Sequence, residues 1–438
     1  MPVTLLAAGV LGGVCFAQAA GAQPVVIETV AVGNPGNPGE QSRLAQSDPT
    51  FYGAVAYTFW IGKYEVTAGQ YTAFLNAVAA TDTYSLYHTR MDYDADPSRE
   101  GCNIKRHGDP GSYTYSVAPD WADRPVNYVS WADAARFANW LHNGQPTGAQ
   151  DLTTTEDGSY FLNGIGEFND GGLEDIIREP DATWVIPTDN EWYKAAYHKN
   201  DGVTGNYWNF GTSSDFFPDN DLIDPDPGNH ATFHEGFFGD PAGFTIGPPY
   251  NRTEAGAHEN SSSPYGTFDQ AGNMMEFTET VPESDIRRMR DGSWKLGSGL
   301  MDASEIDDVM HSSDQFDTLG FRLAVVLGTD VTNLRGFDPV ATFFDWEPML
   351  GRNNAVYDLA RGDLANLSGD ASAVDLGPLT CIENNSLDES SQGFPDTDLP
   401  APNTAFIYVV RFKEWPLIGP WGFGSGGEER VGTGGCPP

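Results

Sequence analysis

The segment RMRDGSWKLGSGLM, residues 288–301, combines a tight Asp-Gly turn with side chains that could take part in chemistry. Ser293 has the only hydroxyl beside the turn, Lys295 has the only amine, and the segment contains no thiol. A serine or lysine becomes nucleophilic only when a neighbouring base or a lowered pKa activates it. Its surroundings therefore decide whether this turn is reactive.

A second candidate is the loop YGTFDQAGNMMEF, in which Asp269 and Glu276 offer carboxylate oxygens. The glycine between them allows backbone carbonyls to turn inward, and Ca²⁺ prefers this mixture of hard oxygen ligands. From the residues alone, the simpler interpretation is that Asp269 caps a turn and Glu276 is surface charge.

A third candidate is HATFHEG, where His230 and His234 are four residues apart and Glu235 follows. On a helix this spacing would place both imidazoles on one face, as in a metal site. The flanking segments DPDPGN and GFFGDP contain Pro and Gly, which oppose a helix. The alternative to a metal site is a pair of solvated loop histidines.

The cysteines give one predicted disulfide and one lone thiol. Cys381 and Cys436 share the C-terminal tail and could pair in an oxidising compartment, while Cys15 would leave with a cleaved leader. Cys102 then remains alone. Because no His-bearing motif accompanies it, we interpret Cys102 as an unpaired structural thiol rather than a catalytic nucleophile.

Composition and charge restrict the class of protein. The chain has 438 residues, of which 39% are hydrophobic and 12% aromatic, as expected for folded domains. Its 62 acidic and 23 basic residues give a formal charge of -39, which disfavours nucleic acid and anionic membrane surfaces and suits bound metal cations. No later run of residues approaches the length of a membrane span.

The first residues, MPVTLLAAGVLGGVCFAQAAGAQP, form an apolar run that ends in small residues. This pattern predicts a signal peptide over residues 1–22, although its start lacks Lys and Arg. We therefore expect a secreted, cell-surface or periplasmic protein.

Three helices are predicted from the same N-terminal capping motif. In this motif the N-cap hydroxyl accepts a hydrogen bond from the backbone N–H three residues later, and the side chain at that later position accepts one from the N-cap backbone. After Thr67 and Ser130, apolar residues follow at helical spacing and define one buried face on each helix. The three pairs are Thr67 with Gln70, Ser130 with Asp133, and Thr188 with Glu191. Short strands are predicted before them in YTFWIGKYEV, PVNYV and TWVIP, and a final buried strand in GFRLAVV, residues 320–326.

Long polar stretches, residues 142–180 and 200–264, contain Trp and Tyr and predict ordered, packed loops. After residue 328 the composition changes to β-prone runs separated by turn-forming residues, which predicts a small all-β sandwich over 329–438. The pattern F-DWEP … YDLARGDL in this tail resembles fibronectin type III domains, whose early strand carries a buried Trp. The main domain is then 23–328, and its expected class is α+β, rich in loops.

Six blocks, taken in order, resemble the formylglycine-generating enzyme (sulfatase-modifying factor) family. This resemblance extends from about Val26 to Val326 and implies a C-type-lectin-like fold. The blocks are IGKYEVTAGQYTAFLNAV, RPVNYVSWADAARFANWLHNG, WVIPTDNEWYKAAY, SPYGTFDQAGNMMEF, RDGSW and LGFRLA.

The resemblance also implies where an active site would lie. Members that oxidise a sulfatase cysteine hold copper with two cysteines just after the Gly-Ser-aromatic turn, and these positions carry Leu296 and Met301 here. Ser293 matches the turn serine of the family, whereas Met275 replaces a usual tryptophan. Because Leu and a neutral thioether cannot replace two thiolates, copper is not expected.

The family resemblance strengthens the calcium interpretation. It implies a structural Ca²⁺ held by the side chains of Asp269 and Glu276 and by the backbone carbonyls of Gly272 and Met274. A second calcium site of the family should lie in the loop 229–244, without assigned residues. In another branch of this fold, the sulfoxide synthases of ergothioneine synthesis, iron is held by a His-rich motif, to which HATFHEG is the nearest segment.

Two functions from different classes follow from these observations. The first is a secreted, calcium-stabilised, non-catalytic scaffold that binds an unknown protein or glycan through the loops of residues 291–318. The second is a metal-dependent oxidoreductase with a non-standard centre built from His230, His234 and Glu235, or from Cys102 near Ser293. Elemental analysis distinguishes them, since the scaffold requires calcium alone and the enzyme requires copper or iron.

Overall fold

The computed structural model describes most of the first 326 residues and, beyond them, the strands of the tail. The described residues are 24–41, 51–165, 172–179, 182–236, 240–282, 286–305, 309–326, 335–337, 343–345, 356–363, 368–369, 373–386, 406–414, 417–418 and 429–435. The predicted signal peptide and Cys15 lie outside these residues.

The described part of residues 24–326 contains both helices and short strands. The α-helices are α1 (Ala68–Val78), α2 (Pro119–Ala122), α3 (Trp131–His142) and α4 (Asp189–Tyr197). The strands are β1 (Thr29–Val32), β2 (Glu40–Gln41), β3 (Phe51–Tyr52), β4 (Phe59–Gly62), β5 (Lys105–His107), β6 (Thr114–Ser116), β7 (Trp184–Val185), β8 (Met275–Phe277), β9 (Ile286–Arg290), β10 (Val309–His311), β11 (Leu319–Gly320) and β12 (Ala324–Val325).

All three predicted capping boxes are present. Thr67, Ser130 and Thr188 are the N-caps of α1, α3 and α4, and each accepts a hydrogen bond from the backbone N–H three residues later. In each case the N3 side chain accepts the reciprocal bond from the N-cap backbone. Local sequence therefore sets where these helices begin.

The two long helices pack their apolar faces against each other and against the segment after β11. Phe137 of α3 lies 5.2 Å from Phe74 and 6.1 Å from Tyr71 of α1, measured between ring centroids. Phe321 completes the group at 5.6 Å from Phe137. The predicted buried faces of α1 and α3 are confirmed, because their apolar residues are buried.

Two four-stranded sheets lie beside these helices. The first has the order β1-β4-β12-β7 and is antiparallel throughout, and the second has the order β10-β9-β8-β11 with β8 and β11 parallel. The chain leaves the second sheet at Gly320 and enters the first at Ala324. The two sheets are therefore connected by the short segment Phe321, Arg322 and Leu323.

Two strand predictions were wrong in detail. PVNYV is not a strand, since it makes only an isolated bridge from Pro125 to Thr67, and Tyr128 has a left-handed φ of 56° that interrupts an extended backbone. GFRLAVV is not one strand either, because its residues divide between β11 and β12 of different sheets. The long polar stretches are ordered loops, as predicted, in the residues described there.

The described residues of the tail are all strands. They are β13 (Arg335–Phe337), β14 (Phe343–Asp345), β15 (Val356–Asp363), β16 (Ser368–Gly369), β17 (Ala373–Ser386), β18 (Phe406–Glu414), β19 (Leu417–Ile418) and β20 (Glu429–Gly435). β15 to β20 form one sheet, and β13 pairs with β14. The fibronectin type III-like sandwich stays a prediction, since Trp346, the tryptophan of the pattern, lies outside the described residues.

Candidate functional site

The centre of the site is a buried ion pair between Glu276 and Arg322. Glu276 lies in the middle of β8, and Arg322 projects from the link between β11 and β12. Arg322 Nε donates to Glu276 Oε2 at 2.6 Å and Nη2 donates to Oε1 at 2.6 Å, with both side chains fully buried. Trp192 Nε1 also donates to Glu276 Oε2 at 2.7 Å. The alternative interpretation of Glu276 as surface charge is excluded, because Glu276 is fully buried.

Asp269 lies in the loop before β8 and has a left-handed φ of 57°. Its Oδ2 accepts a hydrogen bond from the backbone N–H of Gly256 at 2.6 Å. Burial raises the pKa of Asp269 to about 6; the bond from the Gly256 N–H and the charge of Arg322 oppose this rise, and the charge of Glu276 adds to it. Burial therefore disfavours the charged form of Asp269.

Gly272 allows this loop to approach the rest of the domain. Its φ is 91°, and a Cβ at this position would lie 2.2 Å from the carbonyl oxygen of Thr232. Its N–H donates to Asp291 Oδ1 at 2.7 Å, while Met274, two residues on, is fully buried. No residue with a side chain fits at Gly272 without moving the backbone.

Sequence reasoning missed Glu65, which is as well buried as the predicted residues. It lies between β4 and α1 and is 2% exposed, and neither carboxylate oxygen has a hydrogen-bond partner. Burial raises the pKa of Glu65 well above its usual value, and Asp269 and Glu276 raise it further. The only signal was a Glu before the N-cap in KYEVT, which does not reveal what it faces.

Buried carboxyls outnumber the buried guanidinium of Arg322 in this region. Glu65, Asp269 and Glu276 interact electrostatically with one another, and Arg322 is the cation that acts on all three. An unpaired buried carboxylate is costly, so such sites attract a proton or a metal. Among the described residues, no three His, Cys, Asp or Glu side chains are arranged to hold a metal ion. Backbone carbonyls would have to complete any ligand set.

The Asp-Gly turn of the opening segment is a packed structure. Ser293 is fully buried, and its Oγ accepts a long hydrogen bond of 3.4 Å from the N–H of Lys295. The Lys295 ammonium donates to Glu100 and Asp317. Burial lowers the pKa of Lys295, but the bonds to these carboxylates outweigh burial and raise it. Lys295 is therefore held as a cation, the form that is not a nucleophile.

Leu296 and Met301, the two positions that the family resemblance assigns to copper ligands, are packed differently from each other. Leu296 is partly buried and packs against the main core. Met301 is fully buried in a cluster with Phe210, Ala231, Phe233 and Ala271. A Cβ at Gly292 would lie 2.9 Å from Met301 Cγ, and one at Gly272 would lie 3.2 Å from its Sδ. Met301 thus fills the space between the turn and the loop of Asp269.

The histidines of HATFHEG are buried and lie outside any helix, so the expected solvated pair was wrong. His230 is 8% exposed, and its Nδ1 lies 3.0 Å from the carbonyl oxygen of Gly228. His234 is 3% exposed, and its Nε2 lies 2.9 Å from the carbonyl oxygen of Asp240. Glu235 is exposed. Each ring therefore has its own backbone partner.

The cysteines have different states. Cys102 is a free, fully buried thiol, and burial raises its pKa. Cys381 is disulfide-bonded. Its neighbour Thr380 is in register with Gly435 of β20, whereas Cys436 lies outside the described residues, so the pairing of Cys381 with Cys436 stays a prediction.

The remaining predicted positions are Met275 in β8 and the side chains of the predicted recognition loop. Met275 is buried in β8, in register with Leu319 of β11. In the predicted recognition loop, Met310 packs against the core, whereas His311 is exposed and Phe316 is 41% exposed. Phe316 is thus the large apolar side chain that this loop presents to solvent among its described residues.

The fold and site together define a mixed helix-and-strand domain held by buried charges and ordered loops. The sequence model of the sulfatase-modifying factor enzyme 1-like domain matches residues 29–327, more than half of the chain. The chain belongs to this family. No curated protein matches its sequence.

Three solved structures are similar over 68% of this chain. The Treponema denticola variable protein 1 is 17% identical, with 94% of it covered and a TM-score of 0.41. CarF is 19% identical, with 98% covered and a TM-score of 0.34. PvdO from Pseudomonas aeruginosa is 15% identical, with 91% covered and a TM-score of 0.35. These likenesses are too distant to assign a function. Every helix in the described residues is too short or too polar to cross a membrane.

Proposed function

We propose that this protein is a secreted, calcium-stabilised and non-catalytic member of the sulfatase-modifying factor family that binds a protein or glycan ligand. The proposal depends on Met301. The resemblance assigns this position to a copper-binding thiolate, and here its side chain packs against Phe210 and Phe233. A thioether in an apolar cluster, with Leu296 as the other member of the pair, cannot replace two thiolates.

A gain-of-function experiment tests the loss of the copper site. The variant Leu296→Cys with Met301→Cys should bind one Cu(I) per chain, measured by elemental analysis after dialysis, whereas the wild-type chain should bind none. Each single variant is the matched control and should bind Cu(I) weakly. Stoichiometric copper in the wild-type protein, or its conversion of a sulfatase-derived peptide thiol to an aldehyde, would contradict the proposal.

Calcium is the cofactor of this proposal. The family resemblance implies as ligands the side chains of Asp269 and Glu276 and the backbone carbonyls of Gly272 and Met274, and of these Glu276 is already bound by Arg322. The surplus of buried carboxylates around Arg322 supports a cation at this place. A metal that binds only the folded state raises its stability by mass action, so Ca²⁺ should raise the melting temperature of chelator-treated protein.

The ligand-binding surface is proposed to be the loop region of residues 291–318. Phe316 and His311 are exposed there, and exposed side chains on ordered loops are frequent binding residues. The variant Phe316→Ser should lower affinity for a glycan or protein ligand without changing the melting temperature. Phe216→Ser, at a 79% exposed residue of another loop, is the matched control and should keep the affinity.

A further inference from the structure

Glu65 is an unusual residue in this core. It is 2% exposed, and both of its carboxylate oxygens are buried without a hydrogen-bond partner. Buried polar groups in folded proteins are almost always hydrogen-bonded, and a buried carboxylate with no partner is especially costly. Glu156 shows the usual solution, because Arg136 donates to both of its oxygens, at 2.7 Å and 2.9 Å.

The nearby guanidinium does not neutralise Glu65. Arg322 Nε and Nη2 donate to Glu276, Nη2 also donates to the carbonyl oxygen of Phe268, and Nη1 donates to that of Gly62. Every nitrogen of Arg322 is therefore engaged elsewhere. The segments of Glu65 and Asp269 are joined next to these residues, because the N–H of Phe268 donates to the carbonyl oxygen of Lys63 at 2.8 Å. Glu65 and Asp269 are therefore two buried carboxyls in one region, and they repel each other when both are ionised.

Glu276, unlike Glu65, has hydrogen-bond partners for its carboxylate. Both of its oxygens accept bonds from Arg322, and Oε2 accepts another from Trp192. To ligate a metal, Glu276 would have to give up charge-assisted bonds inside the core, which are among the strongest that proteins form. The sequence-predicted ligand is thus occupied, whereas an unpredicted carboxylate is free.

We propose that Glu65, and not Glu276, is the second carboxylate ligand of the cation held at Asp269. This inference rests on the calcium site proposed above. The ligand set would join the carboxylates of Glu65 and Asp269 to the backbone carbonyls of the 269–276 loop, a hard oxygen environment suited to Ca²⁺. Among the described residues no three acidic, His or Cys side chains are arranged to hold a metal ion, so backbone carbonyls would have to supply the remaining ligands.

The functional consequence is a link between distant segments. Glu65 immediately precedes the start of α1, and Asp269 lies in the loop before β8. A shared cation would fix the first helix to this loop, some 200 positions later in the chain. Calcium would then control the stability of the domain as a whole rather than the order of one loop.

The test uses the full chain and four conservative variants, Glu65→Gln, Asp269→Asn, Glu276→Gln and Glu156→Gln. Melting temperature is measured in EDTA and across a CaCl₂ titration, and calcium affinity is measured by isothermal titration calorimetry. MgCl₂ is the control for ion selectivity. The Glu156→Gln variant is the matched control, because it removes a buried glutamate that has its own arginine partner.

Glu65→Gln should have opposite effects in the two conditions. In EDTA its melting temperature should exceed that of the wild type, because an unpaired carboxylate has become neutral. Its calcium affinity should fall by at least about tenfold, since even changes outside the ligand shell cost about 10–100-fold. Glu276→Gln and Glu156→Gln should melt lower than the wild type in EDTA and keep their calcium affinity.

Different outcomes overturn different statements. If calcium stabilises the wild type and Asp269→Asn removes the effect, but Glu65→Gln binds calcium as the wild type does, the role of Glu65 is rejected and the calcium site stands. The role of Glu65 is also rejected if Glu276→Gln loses calcium affinity while Glu65→Gln keeps it. If calcium has no effect on the wild type, the calcium site itself is rejected and the role of Glu65 with it.

Discussion

Arg322 binds Glu276 through two parallel hydrogen bonds, Nε to Oε2 and Nη2 to Oε1, each 2.6 Å long, and both side chains are fully buried. The two residues are 46 positions apart in sequence. The pair connects β8 of one sheet to the crossover that enters the other sheet. It is therefore a central element of the domain.

Removing Arg322 should destabilise the domain strongly. The variant Arg322→Met keeps much of the side-chain volume but leaves Glu276 as an uncompensated buried charge, which costs about 3–5 kcal/mol. Urea unfolding in EDTA measures the loss. Lys63→Met, which removes a partly exposed bridge to Glu28, should cost less than about 1 kcal/mol. Equal losses in the two variants would contradict the central role of the buried pair.

The N-cap of α1 should contribute a measurable part of the stability. Thr67 Oγ1 accepts from the N–H of Gln70 at 3.3 Å, and the side chain of Gln70 accepts from the N–H of Thr67 at 2.9 Å. Thr67→Ala should lower the free energy of unfolding by about 1 kcal/mol. Thr67→Ser keeps the hydroxyl and should stay close to the wild type in the same urea titration; a Ser variant as unstable as the Ala variant would argue against the cap.

Gly272 should not tolerate a side chain. In Gly272→Ala the new Cβ would meet the Thr232 carbonyl at 2.2 Å at a φ of 91°, so the loop must move. We expect a loss of more than about 2 kcal/mol, as for overpacking combined with backbone strain. Gly297→Ala is the control, since no atom lies within 4 Å of its Cβ position. A Gly272→Ala protein with the wild-type melting temperature would rule out the close approach.

His258 should make the protein less stable in acid. Burial lowers its pKa to about 4, against 6.5 in the unfolded chain, although Asp226 partly opposes this effect and His230 adds to it. The unfolded chain thus takes up the proton first. The contribution of His258 is fully present above pH 6.5 and is lost as the pH falls from 6.5 towards 4, by up to about 3 kcal/mol at 1.4 kcal/mol per pKa unit.

The variant His258→Gln isolates this effect. Buried carboxyls with raised pKa values, such as Asp133 and Asp269, change stability in the opposite direction, but they are present in both proteins and cancel in the difference. Urea unfolding at pH 7.5 and 4.5, with EDTA, should show a smaller acid loss in the variant than in the wild type. Parallel losses would sink the assignment to His258.

Sequence reasoning succeeded where the responsible interactions are local. The N-caps of α1, α3 and α4 depend on side chains three residues apart, so Thr67, Ser130 and Thr188 could be identified directly. It was wrong for PVNYV, since the turn at Tyr128 is set by contacts from distant segments: its N–H donates to the carbonyl of Phe316 and its hydroxyl to that of Arg99.

The features of the site also divide into those that the sequence determines and those that only the tertiary structure decides. The sequence by itself determined the family, the absence of thiols at Leu296 and Met301, and the acidic residues at Asp269 and Glu276. Only the tertiary structure decided that Glu276 pairs with Arg322 and that Glu65 remains unpartnered. The physical reason is that the cost of a buried charge depends on which groups surround it in space, and these come from segments far apart along the chain.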